Sequence, residues 1–134
     1  MSPPMSPASE LRLCCPAQSR YVAPARHALA SFLQALRFDR EFREDVTTAA
    51  GEAMANVVEH AYARGRKTPS GHLELRAKLL SDGKLSVDVV DDGSFIERRR
   101  LAGRGFGLRI IRAVAGQLRI ETAGGTRVRM TFNP

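Results

Sequence analysis

Residues 73–89 constrain the fold of this chain more than any other stretch. Leu73, Leu75, Ala77 and Leu79 alternate with Glu74, Arg76 and Lys78. After the turn Ser81-Asp82-Gly83-Lys84, the alternation resumes with Leu85, Val87 and Val89. Successive side chains of a strand point to opposite faces, so this pattern describes a hairpin with one apolar and one polar face. The apolar face demands a covering layer. Two segments of helical spacing can supply it. PARHALASFLQAL over 24–36 places Ala28, Phe32 and Leu36 on one stripe, and a longer helix runs from Asp39, an N-cap, to about Ala63. A short strand at Leu11, Leu13 and Cys15 ends at Pro16, and a third helix is expected from Gly107 to a glycine cap at Gly116. Two last strands, 117–122 and 126–132, are joined by Ala123-Gly124-Gly125. The order β-α-α-β-β-α-β-β predicts an α+β two-layer sandwich: a mixed, mostly antiparallel sheet covered on one face by helices.

Residues 1–9 (MSPPMSPAS) hold three prolines and three serines and read as a disordered tail, which leaves 10–134 as one domain. At 134 residues, 43% hydrophobic and 26% charged, the chain is long enough and apolar enough to bury a core without staples. No apolar run approaches the ~20 residues of a membrane span, and the N-terminus lacks a signal-peptide core. Cys14 and Cys15 are adjacent, which suits neither a disulfide framework nor a CxxC metal knuckle, so a reducing cytoplasm is expected. The net charge of +7 can attract nucleic acid, a nucleotide or an acidic protein. Nothing resembles a reading helix, and with no Trp and 6% aromatics a stacking platform is poorly supplied.

Four places can carry chemistry. On the 39–63 helix, Phe42, Val46, Ala50, Ala53, Val57 and Ala61 form an apolar arc, and Asp45, Glu52, Asn56 and Glu59 form a polar stripe at its edge. The stripe is either a solvated face or a site. Glu52 and Asn56, at i and i+4, can reach one point beside the helix, where Asn offers a hard oxygen to Mg²⁺ and Glu can accept a proton. His60 falls toward the core and reads as a hydrogen-bonded core histidine rather than a ligand. On the second hairpin strand, parity places Asp91 on the covered face with Leu85, Val87 and Val89. A buried carboxylate needs a partner, and its two oxygens suit an exocyclic amine such as that of adenine. Gly93 lets the backbone bend or a flat ring approach, and Asp92 is a turn former. Gly103-Arg104-Gly105-Phe106-Gly107-Leu108 precedes a helix. Its alternate glycines expose amides for phosphates, and Arg104, with one of Arg98 to Arg100, can neutralise them. It is neither a dinucleotide fingerprint nor a Walker loop. Thr126 shares parity with Val128, Met130 and Phe132, so its hydroxyl faces the covered side; a strand-favouring threonine reads equally well there.

Taken in order, these segments resemble the Bergerat-type ATPases of gyrase, histidine kinases and MutL. Within them, GEAMANVVEHAY (51–62), VVDDG (89–93), GRGFGLRII (103–111) and GGTRVRM (124–130) are similar to the anti-sigma-factor serine/threonine kinases. The run E-x-x-x-N-x-x-x-H-A-Y at 52–62 is the most specific part, and the likeness covers about 10–132. The resemblance implies an ATP-binding fold in which Asn56 holds Mg²⁺ on the phosphates and Glu52 is the catalytic base. Asp91 would bind the adenine amino group beside Gly93. Arg104, Gly105, Phe106, Gly107 and Leu108 would line the phosphate turn, and Thr126 would support the adenine end. It further implies a homodimer that binds a sigma factor and phosphorylates a small anti-sigma-factor antagonist, with no direct contact to nucleic acid or membrane. A binding switch without kinase activity is the alternative. Two features depart from the family pattern: Phe95 stands where D-x-G-x-G has its second glycine, and the lid between Gly93 and Gly103 is short.

Overall fold

The computed structural model describes residues 9–62, 71–91, 115–121 and 126–134. Five strands and two helices make up this part: β1 (Glu10–Pro16), α1 (Val22–Ala35), α2 (Arg40–Tyr62), β2 (His72–Leu79), β3 (Leu85–Asp91), β4 (Gln117–Glu121) and β5 (Thr126–Phe132), with a 3₁₀ turn at Ser19–Tyr21 before α1. The sheet order is β1-β2-β3-β5-β4. Every bonded pair in it is antiparallel, where a mixed sheet was expected. Two antiparallel helices between β1 and β2 return the chain to the end it left, so β2 must run against β1. β1, β3 and β4 run one way and β2 and β5 the other, and the order interleaves the two sets so that no co-directional strands are neighbours. Pairing begins at Ser9, whose carbonyl accepts the Leu79 amide at 2.9 Å.

One face of this sheet is dry. Leu73, Leu75 and Ala77 of β2, Leu85, Val87 and Val89 of β3, and Val128, Met130 and Phe132 of β5 are buried in one cluster with the helices. Burying side chains of this size contributes about 1.5–3 kcal/mol each, so this layer is the dominant favourable term in folding. From α2, Val46, Ala50, Ala53 and Val57 are buried as the apolar arc predicts, with Phe42 at the margin. The α1 stripe is rotated from the expected one. Ala25, Leu29, Phe32 and Leu33 are buried, while Ala28 and Leu36 are only half-covered. The helix begins at Val22, earlier than expected, because Pro24 is tolerated within a first turn whose amides have no intrahelical acceptor.

Capping follows the sequence at one helix end and departs from it at another. Asp39 Oδ1 accepts the Phe42 amide at 2.8 Å, the expected N-cap of α2. The C-terminus of α1 closes as a Schellman motif: the Arg37 amide donates to Gln34 O at 2.9 Å and the Phe38 amide to Leu33 O at 3.3 Å. The residue in the left-handed position is Arg37 (φ 66°), not glycine. Arg37→Gly is therefore expected to stabilise the fold by about 0.5–1 kcal/mol, relieving the Cβ clash at some entropic cost. Thermal unfolding checks this; an unchanged or lower midpoint contradicts it. Gly116, expected as a helix cap, instead donates its amide to Thr131 O at 2.7 Å and continues the sheet edge. A Cβ on it would stand 3.1 Å from Asn133 Nδ2 and 3.2 Å from that carbonyl oxygen, a tight fit. The third expected helix, over 107–116, otherwise lies outside the described residues. Among those residues, no helix is long and apolar enough to cross a membrane. Cys14 and Cys15 are both free.

Candidate functional site

The polar stripe of α2 does not behave as one face. Glu59 is exposed, and Asp45 and Glu52 are half-covered, but Asn56 is only 6% exposed. Its neighbours one position and one turn away, Val57 and Ala53, belong to the core. Small residues make this possible. Ala49, Ala50 and Ala53 are fully buried in the core, and Gly51 is buried among them. A Cβ on Gly51 would come within 2.7 Å of Arg26 Cδ, so the glycine forms a notch that seats the Arg26 side chain immediately before Glu52.

Among the described residues, the Asn56 side-chain amide makes no hydrogen bond. A buried amide left without a partner costs about 1–3 kcal/mol. Such a group is suited to a ligand oxygen or a hydrated cation. No cluster of three His, Cys, Asp or Glu that could hold a metal occurs among the described residues. A divalent ion at Asn56 would therefore take its other oxygens from a bound phosphate group or from water. The donor set fits Mg²⁺ carried on a nucleotide better than a resident metal. One consequence is testable without any ligand. Asn56→Leu should raise the stability of the ligand-free protein by about 1 kcal/mol, since an apolar isostere removes the unpaired group. A thermal midpoint below that of the wild type would show that the amide is satisfied.

The next candidate residues lie at the end of the sheet. Asp91 is the last residue of β3 and is 9% exposed, on the same face as Val87 and Val89, as parity requires. It stands opposite Leu73 on β2 and opposite Thr126, the first residue of β5. The sheet thus joins two expected site residues, Asp91 and Thr126, as cross-strand neighbours far apart in sequence. Gly93, Arg104, Gly105, Phe106, Gly107 and Leu108 lie outside the described residues, as do Phe95, the expected lid and the His60 and Thr126 side chains.

One polar pair with a buried carboxylate escapes sequence reasoning. Asp88 is 7% exposed on the sheet face away from the helices, and both its oxygens accept from Arg129, Nε to Oδ1 and Nη2 to Oδ2, each at 3.0 Å. The pair sits cross-strand at Asp88↔Arg129. Only the β3–β5 register would have revealed it.

A family model described as histidine kinase-like ATPase domain matches residues 15–132. Serine-protein kinase RsbW of Bacillus subtilis is 26% identical over 140 residues, covering 92% of this chain and 85% of its own. The anti-sigma F factor of Caldanaerobacter subterraneus is 31% identical over 121 residues, covering 80% and 81%. A crystal structure of the RsbU and RsbW domains of a Mycobacterium tuberculosis protein superposes with a TM-score of 0.75 at 26% identity, over 96% of this chain. This chain spans only 33% of that longer one. The fold alone is shared with the SiaB-SiaC complex of Pseudomonas aeruginosa, with a TM-score of 0.72 at 16% identity, covering 91% of this chain and 88% of that one.

Proposed function

Because this chain belongs to the histidine kinase-like ATPase domain family, among the anti-sigma-factor serine/threonine kinases, we propose that it is an ATP-dependent protein serine/threonine kinase that also acts as an anti-sigma factor. The observation that carries this reading is the buried Asn56 amide, without a hydrogen-bond partner among the described residues and one helical turn from Glu52, which suits a Mg²⁺-bound phosphate better than a core. The names of its relatives support a place in partner switching.

In this reading Asp91 accepts hydrogen bonds from the adenine amino group at the end of β3, with Gly93 beside the ring and Thr126 across the strand pair. Asn56 would hold Mg²⁺, which when bound neutralises phosphate charge. The Arg104–Leu108 turn, Phe106 included, would present amides to the phosphates. Glu52 takes the proton of the attacking serine or threonine hydroxyl, so that its oxygen can bond to the terminal phosphorus while ADP leaves. In this reading the substrate is a small anti-sigma-factor antagonist, the sequestered partner is a sigma factor, and the working form is a cytoplasmic homodimer, an assignment that family likeness supports. Incubation with labelled ATP, Mg²⁺ and an antagonist-like protein from the same genome tests the proposal. Label on a serine or threonine of that protein supports it, and nucleotide binding without transfer favours the non-catalytic switch that Phe95 and the short lid suggest.

Arg104 stands between two glycines of the phosphate turn, with a short path to the terminal phosphate. Arg104→Ala is expected to weaken ATP about tenfold and ADP less, because the lost charge-assisted contact is to the outermost phosphate. Single changes at Arg98, Arg99 or Arg100 should cost less. An unchanged ATP-to-ADP preference in nucleotide titrations would shift the role to that trio.

A further inference from the structure

The sheet face turned away from the helices carries a row of charge with no part in the nucleotide site. The register aligns Arg12↔Arg76, Arg76↔Asp88, Asp88↔Arg129 and Arg129↔Arg119, so a single row crosses all five strands. With strands about 4.8 Å apart, it extends roughly 19 Å. Four guanidiniums face one carboxylate. Like charges directly opposite each other destabilise a sheet, and here they occur twice, at Arg12/Arg76 and at Arg129/Arg119.

Neighbouring acids offset this only in part. Glu74 accepts from both Arg76 and Arg12; the Arg76 hydrogen bond foremost, then that of Arg12 and the two charges, hold its carboxyl below the ordinary range, so one acid serves two cations. Asp88 is taken up by Arg129. Arg119 reaches Glu121 at only 3.9 Å. The side chains of Arg12 and Arg119 remain 66% and 71% exposed at the two ends of the row. Two shallow grooves, of about 400 and 520 Å³, flank its centre. Arg76, Lys78 and Ser86, with the acids Glu10 and Asp88, line one, Gln117 and Arg119 line the other, and both share Arg129 and Thr131.

We propose that this open face docks an acidic segment of a partner protein, whose carboxylates pair with the arginine row. The proposal goes beyond the kinase reading and does not depend on it. Charge complementarity selects the occupant. A second copy of the chain would set this row against its own like charges across a two-fold axis. A nucleic-acid strand would find no Phe, Tyr or Trp to stack on among the described outward residues, and would meet the Asp88 carboxylate mid-row.

The probe is a fluorescein-labelled Glu-Ala repeat peptide, titrated into the full chain alongside a DNA duplex of equal charge. Arg12→Glu/Arg119→Glu is compared with Arg20→Glu/Arg40→Glu, which changes net charge identically at exposed positions elsewhere. The expected result is a loss of at least about tenfold in peptide affinity for the first variant and under about threefold for the second. Nucleotide titration on the same variants should be unchanged, which separates failure here from failure of the kinase reading. Equal losses in both variants, no peptide binding by the wild type, tighter duplex binding that depends on the same arginines, or a dimer that dissociates on reversal would each overturn the proposal.

Discussion

Glu52→Ala is expected to lower phosphoryl transfer by about 10²–10⁴-fold while leaving nucleotide affinity close to that of the wild type. Transfer to a hydroxyl requires that its proton leave as the oxygen bonds to phosphorus, and a positioned carboxylate lowers that barrier without contributing to ground-state binding. Glu52 is half-covered on α2, one turn before the buried Asn56. Its partial exposure leaves it open to an incoming side chain. Asn56→Ala should behave differently, losing the Mg²⁺-dependent part of nucleotide binding as well as transfer. The pair of variants therefore separates base from metal holder. Single-turnover transfer to a cognate antagonist, measured beside nucleotide affinity, reads both quantities. Wild-type rates in Glu52→Ala would return that residue to the solvated edge of the helix.

Asp91→Asn carries the second large effect. A carboxylate at the end of β3 offers two acceptors to an amine, whereas an amide offers one acceptor and turns a donor toward the other hydrogen. Hydrogen bonds to a charged group contribute about 1.5–3 kcal/mol, so adenine-nucleotide affinity should fall by roughly ten- to a hundredfold. The substitution preserves side-chain shape, and β3 remains paired on both sides at this position, with Leu73 and Thr126. An unchanged thermal midpoint will accompany the loss if the effect is on recognition. Equal affinity in mutant and wild type would remove Asp91 from the adenine site.

The strands were legible because one covered face imposes a period of two, and the hairpin at Ser81–Lys84 adds a turn with Gly83 at φ 88°. For the same reason Asp91 could be placed on the covered face from parity alone. α2 was readable by its cap and its alanines, yet its stripe was not uniform. Asn56 lies inside and Glu59 outside, because helix rotation against the sheet is set by α1 and by the Gly51 notch, neither visible in a helical projection. Register was the main loss. The Asp88–Arg129 pair and the arginine row join residues from separate strands, and nothing local in either strand specifies its partner. Arg37 takes the left-handed position that usually favours glycine, within a local Schellman closure, while Gly116 is set by its long-range bond to Thr131 rather than by a helix end.

Calorimetric titration of the wild-type chain with ATP, carried out with Mg²⁺ and again with a chelator, addresses the central claim most directly. The account predicts one-site binding that Mg²⁺ strengthens, with that Mg²⁺ dependence lost in Asn56→Ala. An absence of nucleotide affinity in either buffer would contradict both the ATP site and the kinase built on it.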